Sequence, residues 1–305
     1  MRPSTLWALT LILSASSAPA SDTERLQVDG EWCFIKTPES PRAGEAVILI
    51  HGNGETVEAD SSSWERAEGS SAFMDALLEA GFLLAQSNHT AIPGNGMWGN
   101  PASQESVLAL MNHLRTTRGV EVFHAAAISA GNATLLNLLL DGKAAFRSAV
   151  LIAPVVSLES LYRCPAGIDR VSGIATAFGF EPAHGCSGDP EGDDAFRRAT
   201  AAHDPLRKAR EMSPSSVGDA LSPTRWMALY DRGDPKVIPE ENLLPFIGLL
   251  EPAGIGVVVR SQKKDTHTPK DLLLRHGREI AGFLTGKVMY RGERGAPHPA
   301  PEVLP

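Results

Sequence analysis

Short apolar runs alternate with helix-forming segments through most of the chain, and this alternation constrains the fold more than any other feature. The run at residues 46–50 is continuously apolar, which is typical of a central strand covered on both faces. Strands are also predicted at 82–86, 122–128, 148–153, 226–230 and 255–260, and helices at 72–80, 103–117, 130–140, 240–250 and after Pro269. Because strands joined through helices need crossover connections, the sequence predicts an α/β protein with a mostly parallel sheet covered by helices on both faces.

Two local signals modify this pattern. Asp29-Gly30 separates two apolar-rich runs within 25–35, which predicts an antiparallel hairpin ahead of the parallel strands. Pro245 falls inside the helix predicted at 240–250, and we expect it to kink that helix.

Residues 154–223 differ in composition from the segments around them. They are rich in glycine and proline and include an acidic stretch at 188–194. This segment predicts a cap or lid inserted into a sheet domain made of residues 21–153 and 224–286.

The two ends of the chain predict segments outside the fold. Residues 1–20 combine a positive charge at Arg2, a short apolar run and the small-residue sequence Ala18-Pro19-Ala20, as in a signal peptide. The apolar run is shorter than the roughly 20 residues that span a bilayer, so we expect no membrane anchor and a secreted or periplasmic protein. The proline-rich tail at 287–305 is predicted to be disordered.

Charge patterning argues against polyanionic partners. The 305 residues include 28 Lys and Arg against 36 Asp and Glu, a formal net charge of −8. The basic residues are scattered, so the patch needed to neutralise phosphates is missing. We expect neither nucleic acid nor anionic membrane as a partner, and the oligomeric state is left open.

Three cysteines, Cys33, Cys164 and Cys186, follow the predicted signal peptide. Export would place them in an oxidising compartment where disulfides form. Cys164 and Cys186 lie in loop-like sequence, so we predict that they pair. Cys33 lies in a strand pattern and is expected to be a small buried apolar residue.

The sharpest local motif is Ala127-Ile128-Ser129-Ala130-Gly131, between a buried strand and a helix. A serine at such a turn leaves room only for small residues two positions before and after it. The motif resembles the nucleophile elbow G-x-S-x-G of the α/β-hydrolase superfamily, with Ala127 in place of the first glycine. The resemblance implies that Ser129 is a nucleophile; a serine that merely caps the helix is the alternative.

In this superfamily an acid and then a histidine follow the serine along the chain. The strand predicted at 226–230 leads into Asp231-Arg232-Gly233-Asp234, which resembles the acid loop; Asp234 aligns with the acid and Asp231 is the alternative.

The resemblance places the catalytic base just before the last helix. His267 occupies that position, ahead of Thr268 and Pro269. His276 is the rival, but it lies inside the helix close to an apolar stripe, where packing explains it better.

The resemblance also extends to an oxyanion hole. His51-Gly52-Asn53-Gly54 follows the central strand and is similar to the family's H-G-x loop. It implies that the backbone N–H groups of Asn53 and Ala130 would bind the negative charge that develops during acyl transfer.

Two further patterns resemble ligand-binding motifs but lack the context that such motifs need. Residues 94–99 (G-N-G-M-W-G) satisfy G-x-G-x-x-G, but prolines flank them and no helix follows directly, so no dinucleotide site is predicted. We expect Trp98 instead to be an apolar wall near the mouth of a pocket. The acidic stretch does not have the spacing of a calcium loop, so neither a metal nor a cofactor is expected.

Together these features predict an exported serine hydrolase that cleaves carboxylic esters with a small to medium acyl group through an acyl-enzyme on Ser129. An amidase, a peptidase or an acyltransferase would use the same groups. A non-catalytic binding protein that keeps the fold and pocket is the alternative from another class.

Overall fold

The computed structural model describes residues 22–89, 98–186 and 189–287. Eight strands form one sheet in the order β1-β2-β4-β3-β5-β6-β7-β8. The strands are β1 (Asp22–Val28), β2 (Glu31–Thr37), β3 (Glu45–Ile50), β4 (Leu83–Ser87), β5 (Val122–Ile128), β6 (Ser148–Ile152), β7 (Arg225–Asp231) and β8 (Val257–Gln262). The predicted signal peptide lies outside the described residues, as does the predicted tail apart from Lys287.

Eleven α-helices lie in the described ranges. They are α1 (Ser63–Arg66), α2 (Glu68–Glu79), α3 (Pro101–Arg118), α4 (Gly131–Leu140), α5 (Leu158–Tyr162), α6 (Val171–Phe178), α7 (Asp194–Thr200), α8 (Pro205–Glu211), α9 (Pro214–Leu221), α10 (Leu243–Leu250) and α11 (Pro269–Leu284). None of these helices is long and apolar enough to cross a membrane.

The predicted hairpin is confirmed. Strands β1 and β2 pair antiparallel, with Val28 opposite Glu31. Asp29 and Gly30 between them have φ of 49° and 83°, as a two-residue turn of this kind requires. Strand β2 also pairs antiparallel with β4, and every later pairing in the sheet is parallel.

Helices cover both faces of the sheet, as predicted. Because side chains alternate along a strand, Ala125 and Ala127 of β5 join the apolar cluster of one face and Ala126 and Ile128 join the other. The first cluster includes side chains of α3, α4, α8, α9 and α10, and the second includes side chains of α1, α2 and α11. The α/β architecture expected from the sequence is therefore present.

The predicted kink at Pro245 is wrong. Helix α10 begins at Leu243, three residues later than the predicted start, and Pro245 lies in its first turn. The first N–H groups of a helix have no partner within the helix, so proline causes no loss there.

The segment predicted as a cap, 154–223, divides into two parts by its packing. Helices α8 and α9 contribute Leu206, Ala209, Val217 and Leu221 to a sheet-facing cluster. The earlier part forms a separate apolar cluster around α5, α6 and α7. The predicted disulfide between Cys164 and Cys186 is present in this part.

Candidate active site

Ser129 occupies the tight turn between β5 and α4, with φ of 49°. A positive φ is strained for a residue with a side chain and persists only where surrounding contacts enforce it. The Ser129 N–H donates to the Ile152 carbonyl at 2.9 Å, and its carbonyl accepts from the Val155 N–H at 3.1 Å and the Asn132 side-chain amide at 2.9 Å. These bonds lock the serine at the carboxyl end of the sheet.

The two small residues of the motif have different neighbours. A Cβ on Gly131 would lie 2.5 Å from the His51 carbonyl oxygen and 2.6 Å from that of Ile50, so only glycine fits there. The methyl group of Ala127 is fully buried in a sheet-facing apolar cluster. The first position of the motif therefore accepts alanine, whereas the last does not.

The structure brings Ser129, His267 and Asp234 together. The Ser129 Oγ lies 3.1 Å from His267 Nε2, and His267 Nδ1 lies 2.6 Å from Asp234 Oδ2. An ionised carboxylate only accepts, so the Nδ1–H donates a hydrogen bond to Asp234 and Nε2 is left to accept one from the serine hydroxyl. The Asp234 side chain is 2% exposed, and that of His267 is 13% exposed.

Backbone amides hold the Asp234 carboxylate in place. Its other oxygen, Oδ1, accepts from the N–H groups of Lys236 at 2.9 Å and Val237 at 3.0 Å. Both oxygens of this buried carboxylate therefore have partners, and its orientation toward the imidazole is fixed.

Asp231, the alternative acid, contacts backbone instead of the imidazole. Its Oδ1 accepts from the N–H groups of Gly233 (3.0 Å) and Asp265 (3.1 Å), and its Oδ2 accepts from that of Lys264 (2.8 Å). Asp231 thereby ties the loop that carries Asp234 to the loop that carries His267.

The two residues predicted to form the oxyanion hole lie on segments next to Ser129. A Cβ on Gly52 would lie 3.2 Å from the Ser129 Cβ, so the loop containing Asn53 passes beside Ser129. Ala130 is the N-cap residue of α4, and the positive end of that helix dipole favours an anion there.

Two residues of the site were not singled out from the sequence. Asn132 braces the elbow as described, and Glu55 accepts from the Gly52 N–H at 2.8 Å. Glu55 follows the H-G-N-G run, and a carboxylate directly after a glycine-rich loop is the signal that could have identified it.

Two buried histidines lie at the ends of neighbouring strands close to the site. His51, after β3, stacks on His89, after β4, with ring centroids 3.9 Å apart. Burial lowers the pKa of both imidazoles, so both are neutral near pH 7 and the loop at 51–54 carries no imidazolium charge.

The apolar cluster around α5, α6 and α7 reaches the serine. Ala130, next to Ser129, and Val237, in the loop that carries Asp234, belong to the same cluster as Trp98. The residues of α5, α6 and α7 in this cluster include Leu158, Leu161, Tyr162, Val171, Ile174 and Phe196. Trp98 is 2% exposed and therefore lies within the packing beside the elbow.

Other features singled out in the sequence have partners outside the group of Ser129, His267 and Asp234. On α11, His276 Nδ1 lies 3.1 Å from Glu279 Oε2. The rejected G-x-G-x-x-G pattern falls outside the described residues except for Trp98 and Gly99. Asp193 of the acidic stretch is buried and caps α7 while accepting a hydrogen bond from the Tyr162 hydroxyl at 2.6 Å.

A single group of three possible metal ligands occurs in the part of the chain that the structure describes: Cys164, Asp169 and Cys186. The two cysteines are joined as a disulfide, so they offer no thiolate to a metal.

No protein-family model matches the chain, and no curated protein matches it by sequence. Its structure is similar to that of a ferulic acid esterase, with a TM-score of 0.62 and 14% identity over 88% of this chain and 98% of that one. The chain has the α/β-hydrolase fold.

Two peptidases are similar to this α/β-hydrolase fold over less than half of their own length. The Pyrococcus horikoshii acylaminoacyl peptidase has a TM-score of 0.61 and 12% identity, with 94% of this chain and 45% of that chain covered. A puromycin-hydrolyzing peptidase of Mycobacterium tuberculosis has a TM-score of 0.61 and 17% identity, with 88% and 40% covered.

Proposed function

We propose that this protein is a serine hydrolase that cleaves carboxylic esters through an acyl-enzyme on Ser129. The observation that carries the proposal is a chain of two hydrogen bonds. The first joins Ser129 Oγ to His267 Nε2 at 3.1 Å, and the second joins His267 Nδ1 to Asp234 Oδ2 at 2.6 Å. A serine hydroxyl alone is a poor nucleophile, and an adjacent base held by a carboxylate is what activates it.

In the proposed reaction, His267 Nε2 takes the Ser129 proton while Oγ attacks the ester carbonyl carbon. The carbonyl oxygen becomes an oxyanion, which the N–H groups of Asn53 and Ala130 stabilise. When the intermediate collapses, the bond to the leaving group breaks and the imidazolium gives its proton to the departing alcohol. His267 then activates a water molecule that hydrolyses the acyl-enzyme and restores Ser129. Asp234 stabilises the imidazolium in both halves.

We expect the substrate to carry a small to medium acyl group. The cluster that joins Trp98 and the cap to Ala130 places apolar side chains beside the elbow. Apolar walls with a few oriented polar groups are typical of small-molecule sites.

Amide hydrolysis is the second candidate. Two similar structures belong to proteins described as peptidases, one acylaminoacyl and one puromycin-hydrolyzing. An amide would react through the same three residues, so the leaving group distinguishes the two activities.

Turnover of matched substrates tests the proposal. The wild type and Ser129→Ala are compared on p-nitrophenyl acetate, p-nitrophenyl butyrate and the corresponding p-nitroanilides. Ester turnover that is lost in Ser129→Ala supports the proposal, and faster anilide turnover would transfer it to amides. Folded wild-type protein that turns over none of these substrates would favour the non-catalytic binding protein.

We also propose that the protein works in an oxidising compartment after export. The disulfide between Cys164 and Cys186 supports this, because such bonds persist in secreted and periplasmic proteins and are rare in the cytosol. Appearance of a processed form, cleaved after Ala20, outside the cytosol of an expressing cell is the expected result; retention of the uncleaved chain inside would contradict it.

A further inference from the structure

The loop that carries Asn53 is tied to two helices through one side chain, that of Glu55. Its Oε2 accepts from the Gly52 N–H at 2.8 Å and from the Trp64 indole N–H at 3.3 Å. Its Oε1 pairs with Lys270 Nζ at 2.9 Å. The Glu55 side chain is 12% exposed, so water screens these contacts only in part.

These contacts join the segment beside Ser129 to the segment that follows His267. Gly52 lies against Ser129, and the peptide that carries the Asn53 N–H follows it directly. Lys270 is three residues beyond His267, in the first turn of α11. Glu55 therefore connects the loop beside the nucleophile to the helix that begins just after the base.

The start of α11 is itself held in place by α2, so the bond from Lys270 to Glu55 can fix the position of the loop that carries Asn53. A Cβ on Gly69 of α2 would lie 2.0 Å from the Lys270 carbonyl oxygen, which shows how closely the two backbones approach. Trp64, the other side chain bound to Glu55, is fully buried. Burial thus fixes the Trp64 side chain, and the contact with α2 fixes the backbone from which the Lys270 side chain extends; the bond from Glu55 to the Gly52 amide restricts the loop.

We propose that Glu55 is a positioning residue for the oxyanion hole, aligning the Asn53 N–H with the carbonyl oxygen that Ser129 attacks; this rests on the hydrolase function proposed above. Oxyanion donors act only when they already point at the position where charge develops. A loop that loses its anchor stabilises the transition state less while it binds the ground-state ester about as well.

Lys270 has a second effect in this arrangement. A carboxylate beside an oxyanion hole would oppose the developing negative charge, and the Lys270 ammonium offsets that charge. Removing the ammonium should therefore slow acylation although the Gly52 hydrogen bond remains.

The test compares Glu55→Ala, Glu55→Gln and Lys270→Met with wild type and with Glu58→Ala. Glu58 is an exposed carboxylate of the same loop whose Oε1 accepts from the Thr56 hydroxyl at 3.1 Å, so it is the matched control. For each protein, kcat and KM for p-nitrophenyl butyrate are measured beside the unfolding midpoint in urea.

We expect Glu55→Ala to lower kcat about 10- to 100-fold with KM changed less than about threefold, since loss of a whole oxyanion donor costs roughly 10²- to 10³-fold. Glu55→Gln keeps an oxygen for the Gly52 N–H, so it should recover most of kcat. Lys270→Met should lower kcat about three- to tenfold at unchanged KM. Glu58→Ala should match the wild type.

Three outcomes would overturn the proposal. The first is a Glu55→Ala protein with wild-type kcat, and the second is a Glu55→Gln protein as impaired as Glu55→Ala. If Glu55→Ala does not fold, the Lys270→Met variant tests the proposal instead. The third contradicting outcome is a Lys270→Met protein with wild-type kcat. A wild type with no turnover would instead refute the hydrolase function, and this role with it.

Discussion

Asp231 ends β7 and Asp234 lies three residues later in the loop that follows, and their carboxylates have different partners. Asp234 accepts from His267 Nδ1 at 2.6 Å, whereas Asp231 accepts from three backbone N–H groups that connect its loop to the one carrying His267. One carboxylate thus contacts the imidazole, and the other fixes the loops around it.

Substitution at these two positions should separate the two roles. In Asp234→Asn the amide can donate a hydrogen bond to Nδ1, which places the imidazole proton on Nε2, and Nε2 then cannot accept from Ser129. We therefore expect kcat to fall by about 10⁴-fold with the fold intact. Asp231→Asn keeps one acceptor oxygen but replaces the other by an NH2 group, so at least one of the three backbone N–H groups faces a donor; this should lower the free energy of unfolding by about 1–3 kcal/mol, with a much smaller loss of kcat. The measurements are steady-state kinetics and urea unfolding; the reverse pattern would assign the acid to Asp231.

Gly131 should be the less replaceable of the two small residues in the elbow. A methyl group there would meet the His51 and Ile50 carbonyl oxygens at about the distances of the ideal Cβ, 2.5 and 2.6 Å. Gly131→Ala is therefore expected to slow phosphonate labelling of Ser129 strongly, because the serine and the oxyanion loop must move apart. Ala127→Gly is the control and should label at close to the wild-type rate. Equal rates in both variants would contradict this explanation of the motif.

The three cysteines should react differently with an alkylating reagent. Burial raises the pKa of the Cys33 thiol to about 12, so almost no thiolate forms near pH 8. We expect no alkylation of the native protein, and one modified cysteine after unfolding without reductant. Non-reduced peptide mapping should recover Cys164 and Cys186 as one linked species. Alkylation of both under native oxidising conditions would refute the pairing.

The disulfide should also stabilise the fold. Closing a loop of this length, with a sequence separation of 22, corresponds to about 3 kcal/mol in the chain-entropy model. A Cys164→Ser, Cys186→Ser double variant should have a free energy of unfolding lower by that amount, and should therefore unfold at a lower urea concentration. An unchanged midpoint would show that the cap segment is equally constrained without the bond.

A buried histidine at the opposite end of the strands predicts how stability depends on pH. His124 lies 2.5 Å from the Ser148 hydroxyl and 3.6 Å from Glu45, with Arg147 and Arg225 also nearby, and burial lowers its pKa to about 4. In the unfolded chain its pKa is about 6.5. Between these values the unfolded state binds a proton that the folded state does not, so stability falls as the pH is lowered from about 6.5 toward 4.

Replacing this histidine isolates its contribution. His124→Gln should flatten the slope of unfolding free energy against pH by at most about 1.4 kcal/mol per unit across that interval. Urea unfolding at several pH values measures it. Parallel curves for the two proteins would show that His124 does not titrate as described.

Local patterns explain why so much of the sheet could be predicted from the sequence. Strand β5 has the predicted bounds, because a buried strand that ends in a small-residue turn is recognisable within a few positions. Helix α10 begins three residues after its predicted start, which places Pro245 in the first turn. Apolar periodicity alone does not show where a helix begins, so it did not reveal this position for Pro245. The cap composition likewise did not show that α8 and α9 pack on the sheet.

The supporting contacts of the site could not be predicted in the same way. Choosing between Asp234 and Asp231 depends on which carboxylate faces a histidine on a later loop. The bonds from Glu55 to Lys270 and from Asn132 to the elbow join side chains whose meeting is set by the tertiary fold. Chain order indicates candidates for the reacting groups, but only the packed structure shows what holds them.

Mass spectrometry of fluorophosphonate-treated protein is the most direct test of Ser129 as the nucleophile. We expect one covalent adduct per chain, located on the peptide that contains Ser129, with no adduct on Ser129→Ala and much slower formation on His267→Ala. A folded wild-type protein that forms no adduct, or forms one at a different residue, would contradict the account.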